Sequence, residues 1–238
     1  MGLNLPQILG QLEKMGAALA EQQAALRRLL PAARKAFEHA GGLTTEELEV
    51  QVTRAGDRYR GARPTAEPLL ASFEPPPAEA GLVVAGADGS QIYPDRHAAA
   101  LYFALQVGGL AMEIGSGLAP QVRTQSQLFY QDEDLHDQQG HPVGNAMVNG
   151  RRDAEEMKAL ADWAESYAGR PFVALLDNGL LLWFALQVRE QNQKDVDRIL
   201  QAYLGELDRL QCSGGCVAGF IDRPRSADVL ALAHLATL

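Results

Sequence analysis

The chain has 238 residues, 47 % hydrophobic and 21 % charged, which suits one sizeable core with an appendage. No apolar run approaches the roughly 20 residues that cross a bilayer, and the opening MGLNLPQILGQLEK lacks the basic and apolar regions of a secretory leader, so a cytoplasmic location without membrane contact is expected. A formal net charge of −9 excludes a broad basic surface as the means of gripping a polyanion.

The charge is uneven. Residues 1–60 carry eight Lys/Arg and seven Asp/Glu, a net of +1, so the remainder carries −10. Clustered carboxylates in an acidic body suit a site that gathers divalent cations. Cys212 and Cys216 flank Ser-Gly-Gly without a second Cys or His pair to complete a tetrahedral zinc site, and they read as ordinary thiols.

In chain order, residues 4–40 show helical spacing through Leu5, Ile8, Leu9, Leu12, Met15, Leu19, Leu26 and Leu29, with a kink or restart expected at Pro31. Thr44-x-x-Glu47 has the form of a capping box opening a second helix to about residue 60. Residues 1–60 thus read as a helical arm, of the kind that packs on a neighbour or a second subunit. Residues 61–80 hold five prolines and read as a linker. The core is expected over 81–238.

Within that core, 82–87 is a short apolar strand running into the turn-like Asp88-Gly89-Ser90. Residues 98–108 and 121–130 read as two more strands. A helix is expected over 149–168 and a strand over 172–176 that stops at Asp177. Helices follow at about 180–190 and 194–210, then a strand over 216–221 and a helix from Ser226. Three strands in a meander, then alternating helices and strands, predict a mixed α/β sheet with flanking helices, the order of an RNase H-like fold.

Asp88 and Asp177 close two strands, and Glu155 and Glu156 are expected in the first turns of the long helix. Carboxylates at strand ends gather at one sheet edge, where Mg²⁺ or Mn²⁺ would neutralise them, and a pair of such ions supports phosphodiester hydrolysis. The same spacing also fits ordinary turn aspartates and helix-start glutamates. Arg151 and Arg152 open the helix motif. Arg223 and Arg225, in Asp222-Arg223-Pro224-Arg225-Ser226, either grip phosphates or pair with Asp222 and Asp228. Asp132-x-Asp134-x-His136 reads as a solvated acidic loop, and no GxxxxGK[ST] nucleotide loop is present.

Four segments, taken in order, resemble the NurA nuclease family: VVAGADGSQIYPDRH, RRDAEEMKALADWAE, FVALLDNGLLLWF and GFIDRPRSADVLALAHL. The resemblance spans about residues 82–235. It implies an RNase H-like fold and a Mn²⁺- or Mg²⁺-dependent deoxyribonuclease using two ions, with 5′-to-3′ exonuclease and single-strand endonuclease activity. It also implies a homodimer working with a HerA-type hexameric ATPase in DNA end resection and repair. Carried over by motif, Asp88, Glu156 and Asp177 would be catalytic metal ligands, with Glu155 the alternative if the helix alignment shifts by one. Asp222 is a further candidate acid, and Arg152, Arg223 and Arg225 are candidate DNA contacts. Two departures are visible. The second Asp motif reads Asp-Asn-Gly, and the chain stops before the region where the family supplies a Tyr and a His. The alternative expectation is therefore a catalytically weak or inactive subunit that docks on the ATPase and guides DNA.

Overall fold

The N-terminal leucine stripe forms one helix, α1 (Leu5–Gly41), in the computed structural model. That structure describes residues 5–77, 79–137, 140–177, 180–188, 193–222 and 226–238. The restart expected at Pro31 does not occur. The helix runs through it, without the bond that a proline nitrogen cannot donate. Leu9, Leu12, Met15, Leu19, Leu26 and Leu29 stay exposed along α1. Helix α2 (Thr45–Ala55) opens with the expected capping box: Glu47 N–H donates to Thr44 Oγ1 at 3.2 Å, and Thr44 N–H donates to Glu47 Oε2 at 2.8 Å.

The chain forms two compact units. Residues 1–75 and 224–238 make the first and residues 76–223 the second, so the division falls inside the Pro-rich stretch. The last 15 residues group with the N-terminal helices. The reason is apolar packing: Leu232 and Ala233 share a buried cluster with Ala40, Leu48 and Val52.

The second unit is built on a five-stranded sheet. Strands β1 (Val83–Ile92), β2 (Phe103–Glu113) and β3 (Gln121–Phe129) form an antiparallel meander. After the one-turn helix α3 (Asp132–Leu135) and the long helix α4 (Asn145–Ser166), strand β4 (Phe172–Asp177) pairs parallel to β1. The one-turn helix α5 (Phe184–Gln187) and helix α6 (Gln193–Cys212) lead to β5 (Gly215–Phe220), parallel to β4. The final helix of the chain is α7 (Asp228–Leu235), in the first unit. The sheet order is β3-β2-β1-β4-β5, the mixed RNase H-like arrangement that the order of elements predicts.

One face of the sheet is closed by α4 and α6. Val83, Ala85 and Ala87 of β1 and Phe172, Ala174 and Leu176 of β4 alternate inward, against Met157, Leu160 and Trp163 of α4 and Leu210 of α6. Small residues decide how closely α4 approaches. A Cβ on Gly109 would fall 2.6 Å from Trp163 Nε1, and one on Gly150 would fall 2.6 Å from the Phe184 ring.

Four boundaries differ from the sequence reading. Asp88-Gly89-Ser90 is not a turn: β1 continues through it to Ile92, because β2 keeps pairing as far as the Ile92–Ala104 rung. Strand β2 lies five residues later than expected, with Gly108 and Gly109 inside it. Helix α4 starts at Asn145, so Glu155 and Glu156 lie about three turns in, beyond the first-turn dipole effect. The helix expected over 180–190 shrinks to a single described turn, α5.

Candidate active site

Strand β4 ends where β1 does not. The last parallel rung joins Ala87 to Leu176, both directed at α4. The next residue on each strand is an aspartate. Alternation turns Asp88 and Asp177 to the opposite face, side by side at the end of the ladder, and both are exposed. They border a trough floored by Gly86, Gly108 and Gly109 and walled by Leu110, Val122 and Phe220.

Glu156 reaches the same edge from below. It is 9 % exposed, on the α4 face of the sheet. Gly89 makes the approach possible: a Cβ there would fall 2.6 Å from Glu156 Oε1 and 2.6 Å from Arg152 Cγ. With no side chain in the way, the Gly89 backbone N–H donates to the Glu156 carboxylate. That peptide directly follows Asp88. Glycine is thus required for close approach and not for a turn.

Arg152 holds the glutamate in place. Its Nε lies 3.0 Å from Glu156 Oε1, Nη1 donates to Gln91 Oε1 at 3.0 Å, and Nη2 donates to Asp153 Oδ1 at 2.8 Å. One guanidinium therefore serves two carboxylates. Burial, opposed by Arg152 and reinforced by Asp153 and Asp88, lifts the Glu156 pKa to about 7. The cluster holds more negative charge than its own cations offset, a condition that a hard divalent cation relieves.

Asp177 joins the two sides. Besides the trough, it borders a pocket of about 150 Å³ on the α4 side, with Glu156, Arg152, Asp153, Asn149, Tyr203 and Trp183 around it. Burial, with Asp153 and Glu156 adding to it, pushes the Tyr203 hydroxyl up to about 12, so it remains a hydrogen-bond donor across the working range. Asp153, Asn149, Tyr203 and Trp183 were not picked out from the sequence. The i, i+3 spacing of Asp153 and Glu156 was a signal for the first. Tyr203 and Trp183 carried none.

Glu155 lies one position round the helix and borders a different hollow with Leu105, Val107, Gln125 and Gln127. Asp222 is exposed just past β5 and does not border either cavity at Asp177. Arg223 and Arg225 lie outside the described residues. Asp134 of the acidic loop pairs with Arg151 at 3.2 Å, and Asp132 lies 2.9 Å from His136 Nδ1. Among the described residues, no three His, Cys, Asp or Glu side chains are already gathered into a ligand set. Asp88, Asp177 and Glu156 share an edge without closing a cage. Among the described residues, no helix is long and apolar enough to cross a membrane.

An RNase H-like sheet with aspartates on two adjacent parallel strands and a glutamate from the covering helix defines the class of this unit. Residues 82–238, about two thirds of the chain, match the family model of the NurA domain. The chain belongs to the NurA family, a family of nucleases. The match runs through the second unit and into α7 of the first. No curated protein matches the chain.

Among solved structures, the NurA nuclease from Sulfolobus solfataricus is similar at 12 % identity and a TM-score of 0.35, over 94 % of this chain and 53 % of that one. A NurA bound to dAMP and manganese is similar at 11 % identity and a TM-score of 0.32, over 91 % of this chain and 43 % of that one. RNase H1 from the halophilic archaeon Halobacterium salinarum NRC-1 is similar at 12 % identity and a TM-score of 0.34, over 60 % of this chain and 87 % of that one. The chain thus spans about half the length of the NurA structures it resembles.

Proposed function

We propose that this chain is a divalent-metal-dependent deoxyribonuclease, with Asp88, Asp177 and Glu156 as its metal-binding carboxylates. The observation that supports this reading best is that Asp88 and Asp177 each come one residue past the last β1–β4 rung, Ala87–Leu176, with Glu156 seated against the Gly89 peptide that follows Asp88. The donor set is oxygen only, which suits Mn²⁺ or Mg²⁺, and the surplus negative charge fits one or two such ions.

A bound divalent ion supplies Lewis acidity toward the scissile phosphate and an activated water. The protein's own groups hold and orient. The two aspartates offer oxygens from the sheet, where backbone pairing limits their movement. Glu156 would offer a third carboxylate to such an ion, and the Gly89 N–H and Arg152 fix its direction. Arg152 also presents a cation beside the cavity where a phosphate would enter. Tyr203, protonated throughout, has its hydroxyl free to donate into the same cavity.

The finer reading is 5′-to-3′ exonuclease and single-strand endonuclease action in DNA end resection, by a homodimer served by a HerA-type ATPase. The acidic body supports the need for such help, since −10 over residues 61–238 opposes unaided capture of DNA. The exposed leucines of α1 are an apolar row that a second copy could cover in such a dimer. The direct test is digestion of end-labelled DNA with Mn²⁺, with EDTA as control and with strand polarity read from the products. Cleavage that needs the metal supports the proposal. DNA binding without cleavage would favour a non-cleaving subunit that guides DNA.

A further inference from the structure

The chain has two tryptophans, and they are treated oppositely. Trp163 is 1 % exposed, packed on Gly109 with the Arg123 guanidinium 3.8 Å above its ring centroid. Trp183 is 58 % exposed at the lip of the cavity that contains Glu156 and Asp177. Its neighbour explains how it is held there. Phe184 is buried in the notch left by Gly150 and packs with Met147, Val196 and Ile199, so the first turn of α5 is anchored by one ring while the adjacent ring is left to solvent. A large exposed aromatic on an anchored turn beside a carboxylate cluster is a preformed flat surface at the place where a nucleic acid end would arrive.

Charge argues for its use. Carboxylates line this cavity and the chain is acidic, so the phosphate backbone finds little attraction here beyond Arg152 and a bound metal. Stacking on an aromatic face supplies affinity that does not depend on charge and does not discriminate among bases. The cavity, about 150 Å³, is smaller than the roughly 300–1,000 Å³ of a site for a drug-sized ligand, so it admits one base-sized group and not a base pair.

We propose that Trp183 is the stacking platform for an unpaired nucleobase, so that single-stranded or frayed DNA ends are seated beside Glu156 and Asp177. This rests on the nuclease reading above and adds to it a residue, Trp183, and the part of the DNA that it contacts. A duplex end must fray to use the site, so ends that open easily are preferred.

The test uses the full chain with a short oligodeoxythymidylate at low ionic strength, in Ca²⁺ or EDTA so that no cleavage intervenes. Tryptophan emission and the anisotropy of a labelled strand are read together. Binding with quenching is expected, and W183F is expected to bind with the quench lost, because buried Trp163 is then the sole emitter. W183A is expected to bind the single strand about tenfold more weakly and the blunt duplex with little change, with an unchanged circular dichroism spectrum. Binding by anisotropy without any quench would overturn the proposal alone, as would W183A binding the strand like the unmodified chain. Failure to bind DNA under every condition would overturn it together with the reading it rests on.

Discussion

Glu156 lies against Gly89 at a distance that no side chain on residue 89 would allow: an added Cβ would come within 2.6 Å of Glu156 Oε1. The glycine of the Asp-Gly-Ser segment therefore lets a buried acid from α4 meet the strand that carries Asp88.

Gly89→Ala should accordingly destabilise the protein by about 1–3 kcal/mol, the usual range for forcing extra volume into a packed contact. It should also weaken metal-dependent cleavage, because Glu156 and Arg152 must both move. Thermal unfolding and a cleavage assay on the same preparation check this. A variant with unchanged melting and full activity would show that Glu156 need not touch the strand.

The raised pKa of Glu156 has a definite sign for stability. Folding favours the protonated acid, so this contribution is present in full below the ordinary value of 4.5 and is lost as pH rises through about 7. In EDTA, stability from this group should fall by about 3 kcal/mol between pH 4.5 and 8. Glu156→Gln should remove that dependence. Urea unfolding of both proteins at pH 5 and pH 8 measures it, and identical pH slopes would contradict the assignment.

Metal binding should release a proton from the same group. Mn²⁺ affinity is therefore expected to rise with pH up to about 7 and then level off. Removing the cation that favours ionised Glu156, through Arg152→Ala, should move that plateau to higher pH. Calorimetric titration across pH 6 to 8.5 in buffers of different ionisation enthalpy reads both effects. A plateau that does not move in the variant would separate Arg152 from the titrating group.

Asp88→Asn and Asp177→Asn should each reduce Mn²⁺-dependent cleavage by at least about a hundredfold, the scale seen when one group acting on developing charge is lost. Both residues are exposed, so melting should hardly change. Asp222→Asn should retain activity, since Asp222 borders neither cavity at Asp177. Near-normal cleavage by the Asp88 variant would end the proposed ligand assignment.

The exposed apolar row on α1 leads to a prediction about assembly. Light scattering at micromolar concentration should give twice the chain mass, and Leu12→Glu with Leu19→Glu should return it to a single chain. A monomer mass for the unmodified protein at every concentration would exclude self-association through this face.

What the sequence determined by itself was local or ordered along the chain. The Thr44–Glu47 capping box, the apolar run that opens β1, and the stop of β4 at Asp177 all follow from residues a few positions apart. The order of these segments was enough for the mixed sheet, and the four motifs for the family. Tertiary structure decided where the pieces meet. That β1 runs on past Asp88 depends on its pairing with β2, and that Glu156 rather than Glu155 borders the Asp177 cavity depends on how α4 is rotated over the sheet. Gly89 and Glu156 are 67 positions apart, and Trp183 and Tyr203 reach the cavity from the residue before α5 and from α6. Such meetings are set by the packing of whole faces, in which Gly109, Gly150 and Gly89 fix how close each element comes, and no pattern of neighbouring residues encodes them.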